Sequence, residues 1–306
     1  METNHQTRLS RRRFLTTTAM ATAALTFIPV ADLFAAGKKP NSRFGGVQIG
    51  AITYSWRSMP TTAGDILKYC LEAGISSIEL MGDVAEAFAG LPKNRDEQKA
   101  WRLSSPMGKY KELRKMFDKA GVKIPIVKFE PTRWSDEEID YAFNAAKILG
   151  AKGITEEIGE ESCQRLGKFA EKHGMYAIFH NHMQAGDPNF SFEKFLAYSP
   201  ANMLNFDAGH YFGSSGKHPN EIIEKLHDRI FSIHLKDKTG KNSTPPNTNM
   251  PWGKGETPIA DMLKLIQKNK WPIHCDIELE YNIPAGSDAE KEVIKCVEFC
   301  KKILES

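Results

Sequence analysis

The chain has 306 residues, 41% of them hydrophobic and 26% charged, which is enough apolar material for a large core and too much for a disordered chain. Its 41 Lys and Arg stand against 38 Asp and Glu, a net charge of +3, so neither a nucleic-acid-binding stripe nor a charged tail is indicated. The five cysteines, Cys70, Cys163, Cys275, Cys296 and Cys300, include no CxxC pair; at this length they read as buried free thiols rather than a disulfide framework.

At the N-terminus, Ser10-Arg11-Arg12-Arg13-Phe14-Leu15 precedes an apolar stretch from Ala19 to Pro29, and the small residues Ala35 and Ala36 follow. Charged, apolar and small segments in that order make a secretory leader. Paired arginines followed by Phe-Leu match the twin-arginine type. A membrane anchor is the weaker reading, because the apolar run is short of the roughly 20 residues needed to span a bilayer. The expected organisation is a leader over 1–36 and one domain over 37–306, acting in the periplasm or elsewhere outside the cytoplasm. Beyond the leader, no stable membrane insertion is expected.

Short apolar runs then alternate with amphipathic stretches. Strands are predicted at Val47 to Tyr54, Ser77 to Met81, Lys123 to Lys128, Gly153 to Glu157, Tyr176 to His180, Met203 to Asp207, Ile230 to Leu235 and Ile273 to Glu278. Helical patterns lie between them, at Thr62 to Ala73, Lys109 to Ala120, Ser135 to Leu149, Glu160 to His173, Ser191 to Leu196, Pro219 to His227 and Ile259 to Lys268, with a last one from Asp288 to Leu304. Gly74, Gly121, Gly150 and Gly174 each follow a helix and precede a strand, as C-terminal stop signals do. Eight strand–helix units predict an α/β chain folded as a (β/α)8 TIM barrel. An open doubly wound sheet is the alternative, but no GxGxxG follows the first strand. Two long loops, Ala85 to Met107 and Lys238 to Thr257, are expected on the C-terminal face, where such barrels keep their chemistry.

The polar residues cluster at strand ends. Thr155-Glu156-Glu157, His180-Asn181-His182, Asp207-Ala208-Gly209-His210, His234-Leu235-Lys236-Asp237 and Asp276-Ile277-Glu278-Leu279-Glu280 close five successive strands. Charges placed at the ends of buried strands are costly unless paired or bound to a cation. Singly, each has an ordinary reading: Asp207 as a cap, Glu278 paired with Lys236, Lys236 paired with Glu280. Together they predict one divalent metal, and an oxygen-rich set with one or two imidazoles favours Mn2+, Mg2+, Co2+ or Fe2+ over Zn2+.

The segments Tyr176-Ala-Ile-Phe-His-Asn-His182, Asn205-Phe-Asp-Ala-Gly-His210, Ile233-His-Leu-Lys-Asp237 and Asp276-Ile-Glu-Leu-Glu280 resemble the xylose isomerase-like sugar isomerase/epimerase superfamily, to which inosose dehydratase and endonuclease IV also belong. The resemblance implies a metal held by a Glu, an Asp, a His and a second Glu, the last three matching Asp207, His234 and Glu278. For the first Glu the expectation is Glu157, with Glu156, His180 and His182 as alternatives, since alternation alone does not set the register. His210 is implied to hold substrate hydroxyls; Lys236, two residues after His234 and on the same face, is expected to polarise a carbonyl or steady an oxyanion, and His180, His182, Lys128 and Tyr54, with Trp56, to line the pocket. Trp252-Gly-Lys-Gly255 resembles a turn that closes over the site in that superfamily. A divalent ion chelated by a carbonyl and its neighbouring hydroxyl stabilises an enediolate, with Glu157 and Glu278 as the catalytic pair that moves the proton.

The outcome is isomerisation, epimerisation or, through loss of a β-substituent, elimination. The partner expected is a free sugar, glycoside or keto-glycoside, because no phosphate cradle is evident. A three-metal nuclease fits poorly without a basic groove, a non-catalytic sugar-binding barrel is the other alternative, and a homo-oligomer is left open because no interface is legible.

Overall fold

The computed structural model describes residues 39–104 and 107–306, and the expected leader over 1–36 lies outside them. Among the described residues nine strands form one sheet: β1 (Arg43–Phe44), β2 (Val47–Ile52), β3 (Ser77–Met81), β4 (Lys123–Lys128), β5 (Gly153–Glu157), β6 (Tyr176–His180), β7 (Asn202–Asp207), β8 (Ile230–Leu235) and β9 (His274–Ile277). Strands β2 to β9 run parallel in chain order, and β2 pairs with β9, which closes the barrel. The fold is a (β/α)8 TIM barrel. The two-residue β1, absent from the predicted elements, pairs antiparallel with β2.

The apolar alternation explains the layers. Leu80, Val127, Ile154, Phe179, Phe206, Ile233 and Cys275 face outward from the strands into a continuous core shared with the surrounding helices. Helices end where the glycines predict: Gly150 and Gly174 cap the helices Asp136–Leu149 and Glu160–His173 in left-handed backbone that a side chain would strain. The inside of the barrel is more polar. Glu79 accepts from Thr155 Oγ1 at 2.6 Å and from Asn205 Nδ2 at 2.8 Å. Strands β3, β5 and β7 are not neighbours in the sheet, so these bonds run across the lumen.

Three expectations change. The long segment after β3 is not a loop: it carries the helices Gly82–Ala89 and Arg95–Leu103. The second of these has no fully buried residue; it is held by Trp101, edge-on to Tyr141, and by Arg102, which donates to Glu86 at 2.8 Å and to Glu138 at 3.1 Å. A further helix, Ala208–Ser215, starts directly after β7. Finally, β2 stops at Ile52, and Tyr54 and Trp56 sit in a 3-10 turn. Among the described residues no helix is long and apolar enough to cross a membrane.

Candidate metal centre and active site

Register decides which strand-end residues meet. Glu157 is level with His180, Asp207 with His234, and His234 with Asp276. The bond from Thr155 to Glu79 shows that Thr155 faces the lumen, so Glu157, two residues on, does too. Glu156 turns outward, where its carboxylate accepts from the backbone N–H and hydroxyl of Thr132. Of the two glutamates left open by the alternation, the structure brings Glu157 to the mouth.

His180, Asp207, His234 and Glu278 each offer a ligand atom, and these atoms lie within 4.8 Å of one another. All four side chains are buried. His180 Nε2 is 3.3 Å from Asp207 Oδ2, and His234 Nδ1 is 2.9 Å from Glu278 Oε2. The cross distances, His180 Nε2 to Glu278 Oε2 and His234 Nδ1 to Asp207 Oδ2, are both 4.0 Å. Donors that share one ion at about 2.0–2.1 Å stand roughly 3–4 Å apart. His234 Nδ1 and Glu278 Oε2, though 2.9 Å apart, are not aligned as a hydrogen bond, and Glu278 Oε2 also meets the Lys236 ammonium at 3.0 Å. Two imidazole nitrogens and two carboxylates converging at these separations make a metal-type donor set. The donor set therefore fits a divalent ion. Glu157 is in a second, overlapping set with His180 and His182, rather than among the four.

Each imidazole is steered by an acid behind it. His234 Nε2 lies 2.7 Å from Glu79 Oε2, which leaves Nδ1 to the cluster. His180 Nδ1 lies 3.3 Å from Glu157 Oε2, which leaves Nε2. This is the carboxylate–histidine arrangement that fixes tautomer and ring orientation at metal sites. Glu79 is not among the residues the sequence singles out, because one acid inside Ser-Ile-Glu-Leu-Met has no signal until its lumen partners are known. Burial would push its carboxyl up, but His234 and Lys128 bring it below the ordinary range. Glu79→Gln is expected to weaken divalent-metal binding about 10–100-fold without unfolding the chain, read by titration calorimetry on the metal-stripped protein; unchanged affinity would remove Glu79 from this role.

Asp207 divides its two oxygens. Oδ1 caps the helix Ala208–Ser215 by accepting from the His210 N–H at 2.6 Å, and Oδ2 faces the cluster. Asn181 braces it, accepting from its backbone N–H and donating to its carbonyl. Lys236 is buried against the same cluster. Its Nζ lies 2.9 Å from Asp207 Oδ2, 3.0 Å from Glu278 Oε2, 2.6 Å from Glu280 Oε2 and 2.9 Å from His210 Nε2. Burial opposes ionisation of these acids, but Lys236 keeps Asp207 and Glu278 well below the ordinary range, and His210 and Lys236 hold Glu280 at about 2.

Above the cluster, the rings of His182 and His210 stack at 4.9 Å with 23° between planes. His182 is half exposed and its Nε2 lies 3.1 Å from Glu157 Oε2, which raises the imidazole above its usual value. Burial lowers that of His210, whose Nδ1 has no partner. Lys128 closes the far side of Glu157 at 2.9 Å. Tyr54 is exposed beside Arg57 at the end of β2. Trp56, expected in the pocket, is instead fully buried in the core and donates to Glu290; nothing in the neighbouring residues signals that the turn reverses its direction. The Trp252–Gly255 turn is latched down by Asp237, whose carboxylate accepts from Gly253 and Gly255 at 2.8 and 2.9 Å. A Cβ on Gly255 would lie 2.2 Å from Asp237 Oδ1, so only glycine fits.

Comparison with known proteins agrees with this fold. A family model described as the xylose isomerase-like TIM barrel matches residues 67–303. The chain is 37% identical over 76 residues to inosose dehydratase of Clostridium botulinum, covering 24% of this chain and 25% of that one; the chain thus spans about a quarter of the length of the curated relatives it matches. Among solved structures it is similar to a sugar phosphate isomerase/epimerase from Parabacteroides distasonis (TM-score 0.59, 18% identity, 83% of this chain and 95% of the other). It is also similar to the probable 3-DHS dehydratase from Bacillus anthracis (TM-score 0.60, 16% identity, 82% and 98%).

Proposed function

Because the chain belongs to the xylose isomerase-like TIM barrel family, we propose that it is a metal-dependent enzyme that moves a proton on carbon next to the carbonyl of a sugar or sugar derivative. The observation that carries this reading is the buried set His180, Asp207, His234 and Glu278 lying beneath the stacked imidazoles of His182 and His210. His180, Asp207, His234 and Glu278 would hold the ion, which when bound supplies a Lewis acid for a carbonyl oxygen.

The chain's own residues do the rest. Glu157 is enclosed by Lys128, His180 and His182, so its oxygens are occupied and it suits orientation better than taking a proton from carbon. His182, steered by Glu157 and reachable from solvent, is the group we assign to proton exchange with substrate. His210 stacks against it and presents an unpartnered buried Nδ1, suited to a substrate oxygen. Return of the proton gives isomerisation or epimerisation.

A second reading is elimination, in which the proton is lost and a neighbouring group leaves. It is favoured by the two relatives named dehydratases. A keto-glycoside would then release its aglycone. The leader motif adds the proposal that the enzyme works outside the cytoplasm on non-phosphorylated substrates.

Metal-loaded protein incubated in D2O with free sugars and with keto-glycosides tests these readings. Deuterium at carbon in recovered sugar supports proton return, and release of aglycone supports elimination; the absence of both overturns the proposal. His182→Gln is expected to slow either process about 100-fold or more with bound metal unchanged, and an unchanged rate would remove His182 from the chemistry.

A further inference from the structure

Lys236 presents an arrangement that the proton-transfer reading does not use. Its side chain is 2% exposed, yet its ammonium contacts three carboxylates and an imidazole. Two of those contacts are to Asp207 Oδ2 and Glu278 Oε2, the same oxygen atoms that face His180 and His234. An ammonium and a divalent ion therefore draw on the same two oxygens, in a buried space where like charges repel strongly. The other two contacts, to Glu280 Oε2 and His210 Nε2, involve no residue of the four-donor cluster. They form a second seat within reach of the lysine's flexible four-carbon stem.

We infer that Lys236 is an internal counter-cation: it holds Asp207 and Glu278 together when no metal is bound, and withdraws to Glu280 and His210 when a divalent ion enters. This rests on the reading of His180, Asp207, His234 and Glu278 as a metal site. It explains how four acids and imidazoles can be folded into one desolvated pocket before any ion arrives, since unpaired buried carboxylates would resist folding. Its consequence is that metal affinity is set by residues that are not ligands. Lys236 works against the ion, and Glu280 works for it by keeping the lysine away.

The test is a double-mutant cycle on the full chain stripped by chelation, with Mn2+ affinity measured by titration calorimetry and the melting temperature followed with and without Mn2+. Lys236→Met is expected to tighten Mn2+ binding about tenfold or more and to lower the melting temperature of the stripped protein. Glu280→Gln is expected to weaken Mn2+ binding, with this effect largely gone in the double variant, because the seat has no lysine to hold. Equal effects of Glu280→Gln in both backgrounds, or Mn2+ binding no tighter after Lys236→Met, would overturn the inference. If Lys236→Met fails to fold, Glu280→Gln alone decides: unchanged or tighter binding overturns it, weaker binding supports it. Failure of the wild-type protein to bind any divalent ion would be a different result, and would remove the metal reading itself.

Discussion

Asp207→Asn is expected to abolish proton exchange, lowering its rate by about a thousandfold or more, equivalent to roughly 4 kcal/mol of transition-state stabilisation. The substitution is nearly isosteric, and asparagine caps helices well, so the bond from the His210 N–H to the side-chain oxygen survives. The other half of the side chain does not survive. An amide NH2 placed where Oδ2 now stands would confront the Lys236 ammonium at 2.9 Å. A donor would replace the acceptor that the ammonium uses, and a metal ligand would be lost. The cost to folding is expected to be modest, about 1–3 kcal/mol for the unsatisfied buried groups. Metal content by atomic emission and deuterium incorporation by mass spectrometry check it. A variant that keeps its metal and exchanges within a few-fold of wild type would refute the cluster as the reaction centre.

Exhaustive chelation is expected to cost more than a hundredfold in activity, recovered on adding a divalent ion. With His180 and His234 both facing the carboxylates, two of the four donors are nitrogen. That makes Mn2+, Fe2+, Co2+ or Zn2+ better at restoring activity than Mg2+, which prefers all-oxygen sites and gives up its waters reluctantly. From the strand ends alone, an oxygen-rich set with one or two imidazoles ranks Zn2+ below the other ions; with His180 in the set and Glu157 outside it, only two of the four donors are carboxylates, and that order no longer follows. The bound ion is also expected to stabilise the fold, by about 2.7 kcal/mol at a hundredfold excess over its Kd, seen as a higher melting temperature. Full activity and an unchanged melting temperature after chelation would refute metal dependence.

Much of the barrel and part of its site are legible in the amino-acid sequence. The parallel strands announce themselves as short runs of four to six residues in which apolar side chains alternate with polar ones, because one face packs on the helices and the other lines a polar lumen. Asp207, His234 and Glu278 stand out because each ends such a run, where a charge has no apolar explanation. Other parts are not legible. The helix Arg95–Leu103 has no fully buried residue and is held by Trp101, edge-on to Tyr141, and by the ion pairs of Arg102, so its apolar pattern is too sparse to signal packing. The helix Ala208–Ser215 follows Asp207 without a break, and the residues that read as the end of a strand are also its cap. Glu79 acquires meaning only from Thr155, Asn205 and His234, which are 76 to 155 residues away.

The information carried by the chain alone is periodic and local: where strands and helices lie, where glycines stop them, and which chemically active residues stand at the strand ends. Alternation of side chains along a strand is a property of the backbone, so it needs no partner. Which residues converge is decided only when β2 closes against β9. Closure and register together set the strand ends level, so that His180 joins Asp207, His234 and Glu278 while Glu157 moves to the neighbouring set. The same closure places the Lys236 ammonium on two of their oxygens. A shift of one residue in any of these strands would turn its acid or imidazole from the lumen to the helices, and no local pattern in the chain records that choice.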